Sequence, residues 1–160
     1  MLDVGSGSGY LCAVLCRLVN PPSGSQIGQV VGIDHMSELV EWSTENLKRD
    51  GLSENIDQGQ IKMVYGDGRK GWPPSAPFDA IHVGAAAPEL PKELVDQLNT
   101  PGRMFIPIGT VQQAIFQIDK DENGNVIEKK LLDVRVSFLR SFNYESLLGV
   151  LTVIHSSMYL

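Results

Sequence analysis

The feature that most constrains this chain lies at its start. Gly5, Gly7 and Gly9 alternate with Ser6 and Ser8, directly after the apolar-flanked Leu2-Asp3-Val4 and directly before the apolar run Tyr10–Val19. A strand that ends in glycines and re-enters as a helix leaves backbone N–H groups open to a ligand with no side chain in the way. Such a turn belongs to a parallel sheet crossed by helices. The dinucleotide fingerprint G-x-G-x-x-G does not fit. Counted from Gly5 its third glycine falls on Tyr10, and counted from Gly7 it falls on Cys12.

The rest of the chain continues the α/β pattern. Met1–Val4 reads as the end of a first strand, and Tyr10–Val19 as a buried helix stopped by Asn20-Pro21-Pro22. Gln29–Asp34 is a short apolar run ending in an acid, as in a strand buried on both faces. Ser37 is placed to cap a helix running to about Asp50, with Leu39, Val40 and Leu47 on one face and Gly51 as its stop. Ile61–Tyr65, Phe78–Val83 and Arg103–Ile108 give three more strands, with a short helix over Pro91–Leu98. Gln113–Asp119 and Val126–Val134 flank Asp121-Glu122-Asn123-Gly124, whose Asn-Gly predicts a hairpin. The expected fold is therefore α/β, Rossmann-like, with a mostly parallel sheet and an antiparallel C-terminal hairpin.

Charge and cysteine content narrow the function classes. A net charge of -6 over 160 residues argues against a partner held by phosphate neutralisation, so no nucleic acid is expected. Cys12 and Cys16, four apart in an apolar helix, read as packing residues. They lack further ligands at metal spacing, and no metal is expected. Trp42 and Trp72 are likewise read as packing. The N-terminus has no basic, apolar leader pattern, and Leu147–Ile154 is too short to cross a bilayer. A cytoplasmic protein without a membrane partner is the expectation.

The loop spacing G-x-G-x-G, with Asp3 before it, suits a cofactor that has a charged amino-acid tail and no pyrophosphate, as S-adenosylmethionine does. Two further acids stand at strand ends. Asp34 ends the second strand at the place of the ribose-binding carboxylate, roughly 20 or more residues past the loop. Asp67 ends the third, where it can accept from an adenine amino group while Gly68 leaves the base room. Parallel strand ends near a switch in strand order form a crevice, so Asp3, Asp34 and Asp67 can converge.

Several segments carry a family resemblance. Leu2–Gly9, Gly32-Ile33-Asp34-His35, Gly66-Asp67-Gly68-Arg69, Phe78–Pro88 with its His82-Val83-Gly84-Ala85-Ala86-Ala87-Pro88, and Pro101–Gly109 together resemble the protein-L-isoaspartate O-methyltransferases. The likeness runs in order from residue 2 to about 135, and the Ala-rich segment is its most discriminating part. It implies a class I S-adenosylmethionine-dependent methyltransferase fold and methyl transfer to the α-carboxylate of isoaspartyl residues in damaged proteins and peptides. The cofactor-binding residues it implies are Asp3, Gly5, Ser6, Gly7, Gly9, Asp34, His35, Asp67 and Gly68. His82, Gly84, Ala85 and Ala86 would line the substrate pocket. The attacking carboxylate is already an anion at neutral pH, so neither His35 nor His82 is assigned as a general base. Arg69 and Arg103 are candidates to neutralise a substrate carboxylate. A monomer is expected.

The two ends depart from the family pattern. The family's serine motif lies in a segment before the glycine loop, upstream of Met1, and no catalytic residue is assigned within these residues. Residues 1–135 form the expected methyltransferase domain, N-terminally incomplete, and 136–160 a divergent tail. Val136-Ser137 is what an in-frame splice-donor sequence (GTAAGT) would encode, so read-through of an intron and a divergent C-terminus both stand as readings of the tail. Two alternatives to the enzyme remain, a non-catalytic cofactor-binding fragment and a methyltransferase of other specificity. Against the latter, Gly84-Ala85-Ala86-Ala87 stands where base N-methyltransferases carry an Asn/Asp-Pro-Pro-aromatic motif.

Overall fold

A computed structural model describes residues 1–21 and 28–136. The 136–160 tail, apart from its first residue, lies outside the described residues.

Seven strands form one sheet: β1 (Leu2–Val4), β2 (Val30–Asp34), β3 (Ile61–Tyr65), β4 (Phe78–Val83), β5 (Leu98–Ile108), β6 (Gln113–Lys120) and β7 (Val126–Val134). Their spatial order is β3-β2-β1-β4-β5-β6-β7. The first five run parallel, and β6 and β7 are antiparallel additions. This is the expected architecture. Strand order reverses at β1, which pairs with β2 on one side and β4 on the other. A ligand crevice belongs at that switch, beyond the C-terminal ends of the strands.

Alternation along the strands divides the interior in two. On one face Leu2, Val4, Val31, Ile33, Ile81, Val83, Met104 and Ile106 form a core with Leu94 and Leu98, and Trp72 packs against it. On the other, α1 (Tyr10–Val19) brings Cys12, Ala13 and Cys16 onto Val30, Leu47, Leu52 and Ile61. Gly32 lets α1 approach this closely, because a Cβ there would sit 2.7 Å from both Cys12 Sγ and Met63 Cε. Both cysteines are fully buried, as a packing role requires.

Several local readings need correction. Ser37 is the first residue of α2 (Ser37–Arg49), not its cap; Met36 holds the cap position without a side-chain bond. Ser37 Oγ turns instead to Glu38 Oε2, and the Asp34 carboxylate accepts from Met36 N at 3.1 Å. Trp42 is half exposed rather than packed. A short α3 (Ser53–Asp57) follows α2; its five residues are too few to show a helical period. The helix expected over Pro91–Leu98 is confined to α4 (Lys92–Asp96), because Leu98 already pairs with Phe78 and begins β5. No helix among the described residues is long and apolar enough to cross a membrane.

Candidate active site

The glycine loop sits at the switch point as expected. Gly5, Gly7 and Gly9 all have left-handed φ angles, 78°, 52° and 79°. A side chain at Gly9 would be strained by its φ and would also meet Ser43 Cβ at 3.1 Å. The loop is fastened from three directions. Gly5 N and Ser6 N donate to Ile33 O at 2.9 and 3.2 Å, Asn46 Nδ2 donates to Ser8 O at 3.1 Å, and Gly7 N donates to Asp34 Oδ2 at 3.0 Å.

Asp34 is 5% exposed and bridges two backbone donors, Gly7 N through Oδ2 and Met36 N through Oδ1. Each carboxylate oxygen can accept twice, so the acid is oriented by the chain and keeps capacity for a ligand hydroxyl. His35 Nδ1 lies 3.3 Å from Asp34 Oδ1, with its ring half exposed.

Asp67 stands at the end of β3 but is not free of partners. Arg69 donates to it from its backbone N at 3.1 Å, from Nε at 2.9 Å and from a terminal nitrogen at 2.7 Å. The hydrogen bonds from the Arg69 side chain hold the Asp67 carboxyl below the usual carboxylate range, with partial burial opposing them. Arg69 is thereby committed within the protein. Arg103 is committed too, to Asp119 at 2.6 and 3.1 Å. Neither guanidinium stands unpaired for a substrate carboxylate, contrary to the expectation for both.

Asp3 differs from the other two acids. It is 2% exposed and both its oxygens have side-chain donors: His82 Nδ1 at 2.7 Å from Oδ1, and Cys12 Sγ at 3.1 Å from Oδ2. Burial first, and the Asp3 charge second, push the Cys12 thiol up, so it remains a protonated donor. Nothing in the sequence pairs residues 3, 12 and 82. The signal was the alternation itself, which places Asp3 on the face opposite Leu2 and Val4, under α1.

The fourth strand brings the Ala-rich segment to the same crevice. Gly84 N donates to Val4 O at 2.8 Å, and Ala87 is tied to the end of β5 through Pro107 O and Gly109 N. Ala86 and Ala87 are buried, while Gly84 is exposed. A Cβ at Gly84 would come within 3.3 Å of Gly5 O, so this glycine is what keeps the two loops apart by so little.

Two observations test these residues against a cofactor with an amino-acid tail. Ser6 Oγ is buried in the loop with no hydrogen-bond partner, a donor and acceptor left for something else to satisfy. Above Gly7 nothing but Gly5 O, at 4.0 Å, would meet an added Cβ. The residues fit such a group.

The comparisons with known proteins agree. The chain is 48% identical over 134 residues to a protein-L-isoaspartate O-methyltransferase of Triticum aestivum, covering 84% of this chain and 56% of that protein. It is 46% identical over 134 residues to the Caenorhabditis elegans protein of the same name, covering 82% and 56%. Its structure superposes with a TM-score of 0.76 and 35% identity on a Plasmodium falciparum beta-aspartate methyltransferase solved with S-adenosyl-L-homocysteine, over 87% of this chain and 64% of that one. The chain thus spans about half the length of the curated relatives it matches. The sequence model of the protein-L-isoaspartate (D-aspartate) O-methyltransferases matches residues 1–141, and the chain belongs to that family.

Proposed function

We propose that residues 1–135 form the S-adenosylmethionine-binding unit of a protein-L-isoaspartate O-methyltransferase, which methylates the α-carboxylate of isoaspartyl residues in damaged proteins and peptides. The observation that carries this reading is the glycine loop bonded to the Asp34 carboxylate and packed against Gly84 and Ala85 at the switch in strand order. Asp34, already oriented by Gly7 N and Met36 N, accepts from the ribose hydroxyls, with His35 beside it. Asp67 accepts from the adenine amino group while Gly68 leaves room for the base. The loop Gly5–Gly9 and the Ser6 hydroxyl hold the amino-acid tail.

The bound cofactor supplies an activated sulfonium methyl. The acceptor carboxylate needs no base at neutral pH, so the residues contribute by positioning and by excluding water. Gly84 and Ala85, with the buried Ala86 beneath them, form a floor over which a substrate backbone can pass closely, and His82 flanks it. A monomer in the cytoplasm, acting without nucleic acid, completes the reading.

Calorimetry with S-adenosylhomocysteine, followed by methyl transfer to an isoaspartyl peptide and to its normal aspartyl counterpart, tests the proposal. Binding with transfer to the isoaspartyl peptide alone is expected. Failure of a folded sample to bind would remove the cofactor assignment. The alternative is a cofactor-binding unit that does not itself catalyse. Binding without transfer to either peptide would select it.

A further inference from the structure

Asp3 occupies the middle of β1, in register with Gly32 of β2 and His82 of β4. The residue after it, Val4, accepts Gly84 N, and the loop amides of Gly5 and Ser6 donate to Ile33 O. Three strand exits are thus fixed within two residues of one buried carboxylate. That carboxylate reaches the first turn of α1 through the Cys12 thiol and β4 through His82 Nδ1. His82 meets Asp3 through Nδ1 alone, on a side chain that is 42% exposed. Asp3 is buried and both of its oxygens are already taken by side-chain donors from the protein, unlike those of Asp34, whose donors are two backbone amides and the neighbouring His35.

We propose that Asp3 is a positioning residue and not a cofactor contact. Its carboxylate locks His82 to Cys12, and so holds the glycine loop, α1 and the Gly84–Ala86 segment at one spacing. The inference rests on the reading of the loop as a cofactor site. The physical reason is that a buried carboxylate must keep its donors. A buried acceptor that loses one donor carries the full desolvation cost of that group, so the three elements move together or not at all. Preorganisation of this kind raises affinity without any contact to the ligand.

Three variants of the full chain test the lock. His82→Asn keeps an N–H near the Nδ1 position, His82→Leu removes it, and Asp3→Asn keeps an acceptor for His82 while deleting the charge. Two readouts are needed, affinity for S-adenosylhomocysteine and native-state amide exchange without ligand. His82→Leu is expected to weaken binding by about tenfold, the equivalent of about 1.4 kcal/mol. It should also speed exchange at Gly5, Ser6 and Gly84 by about the same factor, leaving the β6–β7 hairpin unchanged. His82→Asn should bind within about threefold of the parent, a difference below about 1 kcal/mol, while Asp3→Asn, which keeps only one of the two acceptors, should fall between His82→Asn and His82→Leu in both binding and exchange. Wild-type binding and exchange in His82→Leu would overturn the lock. Loss of binding in Asp3→Asn with loop protection intact would also overturn it, in favour of a direct charge contact. If the parent chain bound no S-adenosylhomocysteine, the cofactor reading would fail. The exchange arm would still decide the lock, because it uses no ligand.

Discussion

Strands β2 and β7 show two ways in which one sheet is built. All five residues of β2, Val-Val-Gly-Ile-Asp, are buried, whereas eight of the nine residues of β7 are exposed. β2 lies between β3 and β1, with α1 on one face and the Leu94–Leu98 side of the core on the other. Among the described residues β7 is an edge, paired only to β6, and it carries Glu128, Lys129 and Lys130 in its centre. Charge on an edge strand discourages pairing with another chain. The buried strands therefore carry both the stability and the candidate site, since a strand end held on both faces can aim a carboxylate. The hairpin completes the sheet and contributes little to that aim.

The contrast can be broken most directly at Ile33, which is 1% exposed and faces the core from a strand paired on both sides. Ile33→Ala should cost about 2–5 kcal/mol in urea unfolding, the range for emptying a well-packed core position. A smaller loss would mean that β2 does not bear the load assigned to it. One residue on, Asp34→Ala should cost less, about 1–3 kcal/mol of affinity for S-adenosylhomocysteine, by removing a charge-assisted acceptor. It also leaves Gly7 N and Met36 N without their partner, so the unfolding midpoint should fall as well. Unchanged affinity measured by calorimetry would put the ribose assignment on another residue.

The same contrast explains how far the sequence could be read. Val30–Asp34 and Phe78–Val83 are continuous or alternating apolar runs bounded by glycines and acids, so burial itself wrote their pattern. The hairpin was legible for a different reason. Gly124 has a φ of 80°, and Asp121 Oδ1 accepts from the amides of Asn123 and Asn125, so the turn is specified by the turn residues alone. The start of β5 was not legible, because Asn99, Thr100, Pro101 and Gly102 look like a loop and lie where the register with β4 shifts, between the Leu98–Phe78 and Arg103–Ala80 pairs. At the site, the positions of Asp34 and Asp67 followed from strand ends. Their partners did not, because Arg69 folding back on Asp67 and Cys12 meeting Asp3 depend on tertiary packing. The exposure of Trp42 was hidden in the same way: α2 buries the face holding Ser43 and Leu47 and turns its neighbour outward.

The Asp67–Arg69 pair sits between the two extremes, at the rim of the buried strands. Asp67 is held below its ordinary value in the folded chain, so its contribution is present above the unfolded carboxyl pKa, about 3.9, and fades as pH falls through the lower folded value. Arg69→Gln should therefore lower stability at pH 7 by only about 0.2–1 kcal/mol, because both side chains are partly exposed. The difference between variant and parent should shrink when the urea midpoints are compared near pH 3. A difference that stayed constant with pH would assign the effect to packing of the arginine stem instead.

Leu132 gives the smallest effect and the sharpest contrast with Ile33. Both are branched aliphatic residues in strands of one sheet, and each has a cross-strand neighbour, Val64 for Ile33 and Ile115 for Leu132. Leu132 is 52% exposed, so truncation leaves no enclosed cavity and returns little surface to water. Leu132→Ala should change stability by less than about 0.5 kcal/mol, as surface substitutions do. A loss approaching that of Ile33→Ala, measured by the same urea titration, would mean that something covers the hairpin face in solution. The edge would then belong to the core rather than to the surface.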